Sequence, residues 1–116
     1  MALATLLHPR PDGYQAFRVS PTFESHVPML VFRLRTGRCV ALPYFALARA
    51  DFDPSAQAVA LEFGATLVEL LGRHLEPLYL AVTEQAAVRV DEATAPEAAL
   101  LGVAECVVER VTVRAA

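Results

Sequence analysis

The sequence predicts an α+β, mostly β domain: an antiparallel, twisted sheet or half-open barrel of 5–7 strands with one main helix near 76–85. Three observations carry this. Two runs rich in β-branched and aromatic residues meet at Thr36-Gly37, and two more meet at Gly64-Ala65, both tight-turn signatures. After Gly72 the period-2 alternation gives way to Leu75, Leu78, Tyr79 and Val82, which repeat at helical spacing.

The elements follow in order. Residues 8–13, "HPRPDG", hold two prolines and a D-G turn, so the first 13 residues of a single domain spanning 1–116 are irregular or mobile. Tyr14 to Val19 reads as a short strand ended by Ser20-Pro21. In "MLVFRLRTGRCVALPY" a two-residue turn at Thr36-Gly37 sets Arg35 opposite Arg38 and Leu34 opposite Cys39. That register gathers Leu30, Phe32, Leu34, Cys39 and Ala41 on one apolar side, with Arg33, Arg35 and Arg38 on the other. Ala46–Phe52 forms a strand leading into the turn Asp53-Pro54-Ser55. Val59–Phe63 and Thr66–Leu71 flank Gly64-Ala65, where Gly in first place suits a type II′ turn. The implied pairs are Val59/Leu70, Leu61/Val68 and Phe63/Thr66.

Pro77 fits only a first helical turn, so the helix begins near Glu76. The run "AAVRVDE" returns as a strand, and Asp91–Gly102 is a connector with a short helix opened by Thr94 and Pro96. Leu100, Val103, Ala104, Val107, Val108 and Val111 match helical spacing, yet the β-branched run to Arg114 favours a final strand.

Composition bounds the function. At 116 residues the chain is large enough to bury a core without staples. It has no Lys, Asn, Ile or Trp, and all ten basic residues are Arg, a bias that points to GC-rich coding and a bacterial source. The net charge of −3 is unevenly placed: six Arg against two acids up to residue 50, then four Arg against eleven. Such asymmetry suits an anion-binding face or the two complementary surfaces of a self-associating protein. No apolar run approaches the ~20 residues of a membrane span, and the run "MALATLLHPRPDG" lacks the basic n-region and full-length h-region expected of an export signal. A cytoplasmic protein with reduced Cys39 and Cys106 is expected.

Little here carries chemistry. Cys39 lies between Arg38 and Val40, but alternation sends their side chains to the opposite face, so both Cys39 and Cys106 read as buried, structural thiols. His8, His26 and His74 stand alone, outside any metal-ligand spacing; His74 reads as a solvated loop residue. There is no nucleophile elbow, phosphate loop or dinucleotide fingerprint, so no catalytic residue, cofactor or metal site is assigned. An enzyme would need a site assembled from distant residues such as His74, Asp51 and Asp53. Arg33, Arg35 and Arg38, clustered at one hairpin end, are the candidate anion-binding residues.

The stretch "VFRLRTGRCVALPYFALARADFDPSAQAVALEF" followed by "TLVELLGRHLEPL" resembles the two-part signature of Sm-like RNA-binding proteins. The shared features are a hydrophobic strand ending in Gly37, Phe52-Asp53 before a strand, and a Gly72-x-x-hydrophobic step. The resemblance implies a small, bent five-stranded barrel that assembles into rings and binds RNA. Gln57 stands where that family usually has Asn, and a helix follows Gly72 where the family has a last strand. The leading expectation is a non-catalytic, self-associating interaction module, a homo-oligomer that also has room for another protein partner. The alternative is an anion- or RNA-binding small β-barrel using the arginine cluster.

Overall fold

Among the described residues, alternating apolar positions build eight strands and two helices. In chain order they are β1 (Phe17–Val19), β2 (Met29–Arg33), β3 (Cys39–Pro43), a 3-10 turn (Tyr44–Ala46), β4 (Leu47–Asp53), β5 (Ala58–Phe63), β6 (Thr66–Arg73), α1 (Glu76–Thr83), β7 (Ala87–Asp91), α2 (Ala95–Leu100) and β8 (Val107–Ala115). The computed structural model describes residues 13–21, 27–102 and 104–116; His8, His26 and residues 8–12 of the proline-rich segment lie outside the described residues. The fold is α+β and mostly β with one main helix, as the alternation predicts, and its strands form two four-stranded sheets, ordered β1-β7-β2-β3 and β4-β5-β6-β8. All pairs are antiparallel except β2 with β7, which run parallel.

The β5–β6 hairpin has the expected register, with Val59 opposite Leu70, Leu61 opposite Val68 and Phe63 opposite Thr66. Gly64 takes φ +58°, and Ala65 is not among the residues at positive φ, as a type II′ turn requires. All of Val59, Leu61, Phe63, Val68 and Leu70 are buried.

The first hairpin differs by one residue. The Gly37 N–H donates to the Leu34 carbonyl at 2.8 Å, and the Leu34 N–H donates to the Arg38 carbonyl at 2.8 Å. With Gly37 at φ +94°, the loop holds three residues, a turn closed by a left-handed glycine, where two were expected. Arg33 therefore faces Cys39 and Phe32 faces Val40. Because side chains alternate, the shift turns β3 over. Val40 and Leu42 join Phe32 and Leu30 on the core side, and Cys39 and Ala41 are exposed. The expectation of a buried Cys39 is overturned, while Cys106 is half-buried against the core.

The inner faces of the two sheets meet across Phe32 and Phe63, whose rings pack edge to face at 6.1 Å. Helix α1 adds Leu78, Ala81 and Val82, and the Tyr79 ring stacks on Phe52 of β4 at 5.7 Å. Burial of each Leu or Val contributes about 1.5–3 kcal/mol. Helix α2 opens with a capping box: the Glu97 N–H donates to the Thr94 hydroxyl and the Thr94 N–H donates to the Glu97 carboxylate.

Polar side chains tie the sheets together along β8. The Val111 N–H donates to Glu92 Oε2 at 2.9 Å, and the Val108 N–H donates to the Tyr14 hydroxyl at 2.9 Å. That hydroxyl donates in turn to the Asp91 carbonyl, the Ala93 N–H donates to the Val108 carbonyl, and the Arg35 guanidinium donates to the Glu109 carbonyl. The N-terminal half of the β8 edge is thereby closed.

Candidate functional site

The β4 edge is different, and the ladder shows why. The two-residue turn makes Phe63 and Thr66 a closing pair, so the odd-numbered residues of β5 bond to β6. In the same phase the Gly72 N–H donates to the Gln57 carbonyl, whereas the Gly64 N–H turns the other way, to the Ala46 carbonyl at 2.8 Å. The even-numbered residues of β5 bond to β4, where their partners are Asp53, Asp51 and Arg49. Ala50 and Phe52 consequently aim their N–H and C=O groups away from the sheet. Among the described residues, no hydrogen bond reaches those groups.

The other edges offer less. β1 is three residues long, and β3 ends in Pro43, which has no N–H. β4 has seven residues and no proline. On its solvent face Arg49 and Asp51, both more than half exposed, form an ion pair at 2.7 Å.

Beside this edge stands Phe45, 92% exposed. Its turn is well anchored: the neighbouring Tyr44 is buried, its hydroxyl donates to the Ala87 carbonyl at 2.7 Å, and its N–H donates to the Pro28 carbonyl at 3.0 Å. Met29, paired with Pro43 at the start of the same turn, is also exposed. A phenyl ring held outside the core on a rigid support is a feature of contact surfaces. The sequence showed "PYFAL" as an apolar run; nothing in it distinguished the inward Tyr44 from the outward Phe45.

The arginines are arranged otherwise than expected. Arg35 is engaged with Glu92, its N–H donating to the carboxylate at 2.8 Å and its Nε lying 3.5 Å away, besides its bond to Glu109. Arg38 lies opposite Leu34, whereas Arg33 shares its row with Cys39 and Asp91. The register instead places Arg18 beside Arg89, two rows from Arg33, on the outer face of the first sheet. Arg89 Nε lies 2.9 Å from the buried Asp91. Reading single strands could not bring these three together, because the parallel β2–β7 pairing joins distant segments.

A cleft of about 410 Å³ opens between the β4–β5 turn and the start of α1, lined in part by Gln57, His74, Glu76 and Cys106. Gln57 and His74 both adopt left-handed backbone, at φ +49° and +51°. The Gln57 amide is used internally, accepting from the Leu75 N–H and donating to the Pro54 carbonyl. Burial pushes the Cys106 thiol up to about 11, so it is protonated at neutral pH and a poor nucleophile. Asp53 caps its own turn: the Ser55 hydroxyl, then the Ala56 and Ser55 N–H groups, hold its carboxyl below the ordinary value. Asp51 pairs with Arg49, so both carboxylates considered with His74 have structural partners. Among the described residues, no three His, Cys, Asp or Glu side chains group to hold a metal.

No protein-family model, curated protein or solved structure matches the chain. Two four-stranded sheets with a parallel pair also differ from the five-stranded barrel that the Sm-like resemblance implies.

Proposed function

We propose that the protein is a non-catalytic interaction module that associates with itself. The carrying observation is Phe45, exposed on an anchored turn next to an open strand edge. Covered by a partner, an exposed phenylalanine is an anchor for binding. The two unpaired thiols support a reducing, cytoplasmic setting. Among the described residues no helix is long and apolar enough to cross a membrane.

Light scattering on the whole chain tests this reading. The expected mass is a multiple of 12.6 kDa at micromolar concentration, shifting toward the monomer in Phe45→Ser. A strict monomer at high concentration would refute it.

A second reading, anion or RNA binding, is supported by Arg18 lying beside Arg89, with Arg33 two residues further along the same face. Filter binding with single-stranded RNA tests it: Arg33→Gln should weaken binding and flatten its salt dependence. Equal binding by both proteins would remove this reading.

A further inference from the structure

We infer that the protein dimerises by antiparallel pairing of β4 with β4 of a second copy, about a two-fold axis at Ala50, with Arg49 of each copy facing Asp51 of the other. The inference rests on the self-association reading and gives it a surface and a register.

Two independent features select that register. The first is ladder phase. Ala50 and Phe52 present their N–H and C=O groups outward, while Arg49, Asp51 and Asp53 spend theirs on β5. A two-fold antiparallel pair centred on an outward residue lets that residue exchange both hydrogen bonds with its own copy. Axes at Ala50 and Phe52 meet this condition; an axis at Asp51 also matches outward residues, Ala50 with Phe52 of the second copy, but sets Asp51 against its own copy, like against like.

The second is charge. With the axis at Ala50, Arg49 lies opposite Asp51 of the second copy, and Asp51 opposite its Arg49. These are non-hydrogen-bonded pairs, in which side chains approach most closely. With the axis at Phe52, Asp51 would lie opposite Asp53 of the second copy, like against like. Parallel pairing in register would set Arg49 against Arg49. Only the Ala50 axis satisfies both conditions, and it makes the strand complementary to itself. In the separate chain Arg49 and Asp51 already pair with each other, so dimerisation joins two such pairs into one alternating cluster.

The register shift between Leu47 and Arg49 bends the strand and limits the new ladder to a few residues. Phe45 lies just beyond this limit, where the chain would run toward the β4–β5 turn of the second copy. The apolar contact that a short ladder lacks would be made there.

Sedimentation of the full chain tests the register through charge exchange, with circular dichroism as the control for folding. Arg49→Asp alone and Asp51→Arg alone each set like charges across the axis and should weaken dimerisation at least about tenfold. Mixing these two variants, or combining both changes in one chain, should restore the dimer. Ala50→Pro removes the outward N–H at a position where a folded edge strand tolerates proline, and should yield a folded monomer. A monomeric wild type overturns this inference and the self-association reading together. A wild-type dimer that both charge variants preserve, or that their mixture fails to restore, overturns the register and leaves self-association standing.

Discussion

Glu92 holds Val111 across the molecule. One carboxylate oxygen accepts the Val111 N–H at 2.9 Å and the other accepts the Arg35 N–H at 2.8 Å, from a side chain that is almost wholly buried. The first sheet thus grips the edge of the second at a point where a strand would otherwise pair. Glu92→Ala strands both N–H donors and should destabilise the fold by about 2–4 kcal/mol. Glu92→Gln keeps one acceptor and should cost about half as much. Urea unfolding of both variants, with midpoints compared at constant slope, measures the difference.

Gly72 lies where the β6–β8 register shifts, and a Cβ there would meet the Val107 carbonyl oxygen at 1.9 Å. The obstacle is backbone, so no rotamer relieves it. Gly72→Ala should destabilise by roughly 1–3 kcal/mol or more, whereas Gly102→Ala, whose Cβ would find only the Glu105 side chain at 4.0 Å, should lie within about 0.5 kcal/mol of wild type. Thermal melts of the pair decide it.

Burial pushes the Tyr44 hydroxyl well above its ordinary value near 10. Below that pH both folded and unfolded chains keep the proton, and the contribution to stability is complete. As pH rises past about 10, the unfolded chain ionises first and is favoured, so stability falls by up to about 1.4 kcal/mol per pH unit. Denaturant midpoints between pH 9 and 11 should fall more steeply in wild type than in Tyr44→Phe, even though the variant starts lower for want of the bond to Ala87.

The two thiols should separate kinetically. Cys39 is exposed on the outer face of β3, while the half-buried Cys106 is held protonated up to about pH 11. Alkylation at pH 8 should modify one thiol per chain rapidly, and Cys39→Ser should abolish that fast phase. A fast phase surviving in the variant would contradict the placement of both residues.

How much of this the sequence shows depends on the range of the interaction. The β5–β6 register was legible because a two-residue turn and strict alternation act within fifteen residues or so. Helix α1 and the Thr94-Pro96 start of α2 were legible for the same local reason. The β3 face was misread because Thr36-Gly37 suits a two-residue loop as well as the end of a three-residue one, and one residue inverts every side chain that follows. The parallel β2–β7 pair, the outer-face grouping of Arg18, Arg89 and Arg33, and the bridging role of Glu92 were not legible at all. Each joins segments far apart in the chain, and in sequence Asp91 and Glu92 look like part of a solvated acidic connector. The β4 edge falls between these cases: its charges are plain in "ARAD", but their meaning requires knowing which side of the strand is already taken.

The asymmetry of the second sheet has a last consequence. Glu92, Tyr14 and Arg35 occupy the N-terminal half of its β8 border, so a strand added there would find only the C-terminal half to pair with. A contact of β4 with β4 is isologous and uses the same border in both copies. Association through that contact closes at two copies, while the buried Glu92 carboxylate shortens the ladder that the opposite border can offer.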